Sequence, residues 1–133
     1  MRILLDSSAI IEFLRGNSKV MDLIEQSDVI FTSVICAYEV LVGEMYRDKK
    51  GLKSLLKEVK ELLRELNPMP LVMEDCIKAS EISSALMVKG KVVSVADALI
   101  SAQAIRRNLM IVTKDLDFNV IKEIEPKLML HIL

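Results

Sequence analysis

The chain predicts an α/β fold in which helices cover both faces of a mostly parallel sheet of about five strands, a three-layer sandwich. Two observations predict it. Short apolar runs that read as strands alternate with longer segments whose apolar residues recur at helical spacing. No repeat, low-complexity tract or linker interrupts that alternation, so residues 1–133 read as one domain. A hydrophobic share of 52% over 133 residues is enough for a full core and argues against disorder.

The elements follow in order. Arg2 to Leu5 reads as a short buried strand, and Ser7 or Ser8 can cap the next helix, which carries Ile10, Ile11, Phe13 and Leu14. Gly16-Asn17 ends that helix, and Ser18 opens a second short one through Val20, Leu23 and Ile24. Residues 28–32 form the second strand, after which Ser33 caps a largely apolar helix running to about Asp48. Gly51 breaks the chain. Leu52, Leu55, Leu56, Val59, Leu62, Leu63 and Leu66 then fall on one stripe, with Lys, Glu and Arg opposite. Asn67-Pro68 stops that helix, and residues 69–73 read as a third strand. Helices follow over 74–88, ended by Gly90, and over 94–107. Residues 109–113 make the fourth strand, 115–121 a helical turn, and 128–132 a closing strand.

Composition narrows the function classes. No apolar stretch reaches the roughly 18 residues that span a bilayer, and Asp6 interrupts the first apolar run too early for a signal-peptide core, so a cytoplasmic protein is expected. Cys36 and Cys76 stand forty residues apart without a CxxC pair, which excludes a zinc ribbon or a disulfide framework. The net charge of −1 announces no nucleic-acid binder. Local basic clusters at Arg47-Asp48-Lys49-Lys50, Lys89-Gly90-Lys91 and Arg106-Arg107 leave the question open, since local clusters set the field at a site.

The chemistry is carried by isolated acids. Asp6 is the only charge between Arg2 and Glu12, Glu39 between Asp28 and Glu44, and Asp97 between Lys91 and Arg106. Each stands in an apolar run, where a carboxylate is unfavourable unless protonated, paired or bound to a metal. In a parallel sheet, ligands sit beyond the carboxyl ends of the strands. Asp6 follows the first strand and Asp115 the fourth, with Glu39 two turns into one helix and Asp97 in the first turn of another. All four can reach one mouth. At about 5 Å and an effective dielectric near 20, each close pair repels by roughly 3 kcal/mol, which a divalent cation offsets. Simpler uses exist for three of them. Ser94-Val95-Ala96-Asp97 nearly matches a capping box, and Asp6 and Asp115 can each cap a helix. Glu39 lies mid-helix among apolar residues, and capping does not account for it.

The chain resembles the PIN domain family, specifically the short VapC-type toxins of prokaryotic toxin–antitoxin pairs. The resemblance rests on Ile3-Leu4-Leu5-Asp6-Ser7-Ser8-Ala9-Ile10-Ile11, on Tyr38-Glu39-Val40, on Val95-Ala96-Asp97-Ala98-Leu99-Ile100 and on Ile111-Val112-Thr113-Lys114-Asp115-Leu116-Asp117-Phe118. It implies a metal-dependent ribonuclease, a cognate antitoxin and a homodimer. Asp6, Glu39, Asp97 and Asp115 match the family's acidic quartet. Many relatives carry Asn where Asp115 stands and their acid nearer Asp117, which makes Asp117 a second candidate. An all-oxygen site without His or Cys suits Mg²⁺ or Mn²⁺. Asp6 and Asp97 are then the main metal ligands, and Glu39 and Asp115 bind through water or hold a second ion. Glu39 also orients or deprotonates the attacking water, and Ser7 and Thr113 donate hydrogen bonds to a water or phosphate. A PIN scaffold that binds RNA or protein without catalysis is the alternative, and retention of all four acids counts against it. Aspartyl-phosphate chemistry fits less well. Ser8 stands where a haloacid-dehalogenase phosphatase needs a second Asp, and the first strand lacks the acidic pair of a response-regulator receiver.

Overall fold

A computed structural model describes every residue of the chain, Met1–Leu133. Its elements are β1 (Arg2–Leu5), α1 (Ser7–Leu14), α2 (Ser18–Glu25), β2 (Val29–Phe31), α3 (Val34–Lys49), α4 (Leu56–Leu66), α5 (Met73–Val88), α6 (Val95–Arg107), β3 (Met110–Thr113), α7 (Phe118–Ile124) and β4 (Met129–Ile132). The four strands pair in the order β2-β1-β3-β4, every pair parallel. The registers Leu4 to Ile111 and Val112 to His131 align the carboxyl ends along one edge.

Two apolar layers follow from the period-two alternation of strand side chains. Ile3, Leu5 and Val112 pack on one face with Ala9, Ile10, Val20, Leu23, Val40, Val59 and Leu63 from α1 to α4. Leu4 and Ile111 face the other way, against Ile82, Leu86, Ile100, Phe118 and Ile121 from α5, α6 and α7. The three-layer α/β arrangement expected from the sequence is therefore present. Truncating a fully buried residue such as Leu4 to Ala costs about 2–5 kcal/mol.

The sheet has four strands, and the expected strand at 69–73 is absent. Met69 makes an isolated parallel bridge to Ser33, through Met69 N–H to Thr32 O at 2.9 Å and Val34 N–H to Met69 O at 3.0 Å. The ladder cannot continue, because Pro70 has no N–H and the Val72 N–H donates to Asp75 Oδ2 at 3.0 Å to start α5. The leucine-stripe helix also begins later than its pattern suggests, at Leu56. The connection before it is held otherwise: Arg47 Nε donates to Lys53 O at 2.8 Å, and the Leu55 N–H donates to Glu44 Oε1 at 2.9 Å. Asp6 and Asn17, not the serines that follow them, cap α1 and α2. Ser33 and Ser94 cap α3 and α6 as expected.

Arg106 and Arg107 do not form a free basic patch. They converge on Asp75, which has no exposed surface, with Arg106 Nη1 at 2.5 Å and Arg107 Nη1 at 2.9 Å from Oδ1. This ties the start of α5 to the end of α6, at the opposite end of α6 from Asp97. Although burial works against the charge, Arg107, the Val72 amide and Arg106 hold the Asp75 carboxyl below its usual range.

Candidate metal centre

The winding of the sheet reverses between β1 and β3, since β1 is flanked by β2 on one side and by β3 on the other. Such a reversal opens a crevice beyond the carboxyl ends of the two strands. Asp6 directly follows β1, and Asp115 follows β3 by two residues, so both stand at the crevice.

Asp6 is 5% exposed. Its Oδ1 accepts from Ser8 Oγ at 2.7 Å and from the Ala9 N–H at 2.9 Å, and its Oδ2 accepts from the Thr113 hydroxyl. A carboxylate offers about four acceptor directions, so Oδ2 keeps one for a cation. Asp6 is thus a helix cap with ligand capacity left over. Burial pushes its pKa above the usual range, these hydrogen bonds oppose that, and the charge of Asp115 adds to it.

The same network fixes the end of β3. Thr113 Oγ1 accepts from the Asp115 N–H at 2.9 Å, and Ser8 Oγ accepts from the Lys114 N–H at 2.9 Å. Thr113 therefore orients two acids. Ser8 makes this link between the two strand ends, and Ser7 makes no hydrogen bond to the acids. Asp115 Oδ1 in turn accepts from the Asp117 N–H at 2.8 Å, a local turn that swings Asp117 toward Asp115.

Asp97 enters from α6. Its N–H donates to the capping Ser94 Oγ at 3.0 Å, and its side chain meets the β3 turn. Carboxylate oxygens of Asp97, Asp115 and Asp117 lie within 4.8 Å of one another. Burial, with the charges of Asp115, Asp117 and Asp6 and against the Ser94 hydroxyl, pushes the Asp97 pKa up to about 6. Glu39 is half-buried on α3, and its pKa is raised by burial and then by Asp97, Asp6 and Asp115. The structure thus brings Asp6, Glu39, Asp97 and Asp115 to one place and sets Asp117 among them. The Asp-x-Asp spacing, which allows the first side chain to cap the second amide, is the sequence signal for that inclusion.

No Lys or Arg nitrogen lies within 4.0 Å of any of these five carboxylates. The neighbouring cations are engaged elsewhere: Lys114 with Glu12 at 3.1 Å and Lys91 with Glu123 at 2.7 Å. Five acids with only oxygen donors and no ion-paired Lys or Arg, three of them (Asp6, Glu39 and Asp97) with raised proton affinity, fit a hard divalent cation. Beside them opens a cavity of about 460 Å³, lined by Ser94, Asp97 and Asp117, by the apolar Val92, Val93, Leu116 and Val120, and by Lys91.

Comparison with known proteins agrees with this fold. The fold is similar to that of VapBC2 from Rickettsia felis, solved bound to a DNA fragment from its promoter (TM-score 0.78, 21% identity, covering 100% of this chain and 99% of that one). It is also similar to VapBC-5 from Mycobacterium tuberculosis (0.73, 19%, 98% and 98%) and to FitAcB from Neisseria gonorrhoeae (0.72, 23%, 96% and 95%). No curated protein matches the chain in sequence. The family model of the PIN domain matches residues 3–124, a stretch that includes Asp6, Glu39, Asp97, Asp115 and Asp117. With sequence, fold and crevice in agreement, the chain belongs to the PIN domain family.

Proposed function

We propose that the protein is a divalent-metal-dependent endoribonuclease and the toxin of a VapBC-type toxin–antitoxin pair. The observation that carries the reading is the trio of carboxylates Asp97, Asp115 and Asp117 at the switch point of the sheet, with Asp6 and Glu39 close enough to feel their charge and no Lys or Arg paired to any of them.

Asp6 and Asp97 would hold the ion, with Asp115 and Asp117 available as further oxygen ligands. A bound Mg²⁺ or Mn²⁺ supplies positive charge for the developing phosphorane oxygens and lowers the pKa of water. Glu39 orients the attacking water and takes its proton, a role suited to a carboxylate whose proton affinity is already raised. As the water oxygen bonds phosphorus, the bond to the leaving ribose oxygen breaks, and that oxygen takes a proton from solvent water. Thr113 and Ser8 hold Asp6 and Asp115 in place and keep the strand ends together.

The likeness to chains of VapBC complexes supports an antitoxin partner, and the uncompensated acids would attract an Arg from its tail. The same reading places a homodimer in the cytoplasm. Met87, Val88, Val92 and Val95, all well exposed, supply apolar surface that association would cover. Incubation with structured and unstructured RNAs, with and without Mg²⁺ or Mn²⁺, should give cleavage that EDTA stops, with cut ends that can be mapped. Full cleavage in EDTA would exclude the mechanism.

A further inference from the structure

One groove is not used by the metal centre itself. Along α1, Ser8, Ile11 and Arg15 fall on one stripe; along α3, Glu39, Gly43 and Arg47 do the same. The two helices pack together. Between them runs a cleft of about 220 Å³ bordered by Ser8, Ile11, Glu39, Gly43 and Glu44. Glu44 also borders a second cleft, of about 190 Å³, with Arg15, Arg47, Lys53 and Ser54 around it. Glu44 lines both, so the two clefts adjoin and together form a trench with Glu39 at one end and Arg15, Arg47 and Lys53 at the other.

The charges at that end are unevenly matched. Glu44 is buried, its Oε1 accepts from the Leu55 N–H, and its Oε2 stands 4.0 Å from Arg47 Nε. Glu12 is already engaged by Lys114 and the Asn17 amide, and Arg15 lies 3.9 Å away from it. Arg15 is 64% exposed, and Lys53 is exposed without an ion pair. The end of the trench therefore carries surplus positive charge, although the chain as a whole carries −1. Glu39 and Arg47 are eight residues apart on one helix, about 12 Å, a span of a few nucleotides.

We propose that this trench holds the phosphodiester backbone of a single-stranded nucleic acid, with Arg15 and Lys53, and Arg47 behind them, binding a phosphate a few nucleotides from the scissile bond. The inference rests on the ribonuclease reading and adds the path of the substrate. The cationic end disfavours an Arg-bearing protein tail as its occupant and favours phosphate. Gly43 is what keeps the floor low. A Cβ built there meets nothing within 4 Å, so a larger side chain enters the trench and leaves the packing intact.

The test uses fluorescence anisotropy of a labelled single-stranded oligouridylate in EDTA at low salt, followed by cleavage in Mg²⁺. Arg15→Gln and Lys53→Gln should each weaken binding severalfold and reduce the slope of log K against log salt by about 0.7. Gly43→Leu should weaken binding about tenfold, while its melting temperature stays or rises because Gly is the poorest helix former after Pro. Unchanged affinity and slope in all three variants would overturn the trench, as would wild-type protein that does not bind the oligonucleotide. Trench-dependent binding with no wild-type cleavage would sink the catalytic reading and leave the trench standing. Full-rate cleavage by variants with normal binding would do the reverse.

Discussion

Replacing Asp97 by Asn separates a metal ligand from a helix cap. In the metal-free protein the Asp97 carboxyl moves from 3.8 to about 6. At about 1.4 kcal/mol for each tenfold change in proton affinity, full charging would cost about 3 kcal/mol. The group is only half-buried, so solvent screening reduces this to about 1.5 kcal/mol. Loss of the favourable charge in the first turn of α6 returns about 0.5 kcal/mol. Asp97→Asn should therefore stabilise the metal-free protein at pH 7.5 by about 1 kcal/mol, or about 3–4 °C for a chain of this length. The sign follows from the raised value. A carboxyl whose pKa is higher in the folded state favours folding at low pH, and that contribution is lost as pH rises through about 6. The gain should accordingly vanish near pH 4, where the wild-type group is protonated. Mg²⁺ or Mn²⁺ at a hundred times its Kd should add about 2.7 kcal/mol to the wild type and much less to the variant. Thermal unfolding across this pH range, with and without metal, is the assay. A variant less stable than wild type without metal, and equally stabilised with it, would show that Asp97 serves only the charge balance of the first turn of α6.

Three further outcomes are expected. Asp6→Asn and Glu39→Gln should each reduce RNA cleavage at least about a hundredfold, because each removes ligation or proton transfer that the transition state uses; single-turnover rates check this. Asp115→Asn and Asp117→Asn should weaken metal binding by similar factors, since both carboxylates lie within 4.8 Å of each other and of Asp97; isothermal titration would expose a strong inequality, which would reduce the centre to one of them. Asp75→Ala should cost about 2–4 kcal/mol by stranding Arg106 and Arg107, with metal affinity unchanged. Because the Asp75 carboxyl is held low, its contribution is present above about pH 4 and fades on acidification below it, which denaturant titrations at two pH values would detect.

By itself the sequence determined the alternation of strands and helices, the two-faced core and the four isolated acids, two after strands and two on helices. Those features are written in periods of two and 3.6 residues and in single charges inside apolar runs, which are local signals. Its misreadings were local patterns overruled by longer-range partners. Residues 69–73 have strand-like apolar character, but Pro70 lacks a donor and the Val72 amide belongs to Asp75. Arg106 and Arg107 look like a solvated basic end until a residue thirty-one positions away is folded onto them. Only the tertiary structure decided that Asp117 joins Asp97 and Asp115, that Ser8 ties Asp6 to the end of β3, and that Arg15 and Arg47 line one cleft. Each of these depends on distances between elements far apart in the chain, and the packing of the α1–α3 pair and the register of β1 on β3 set those distances.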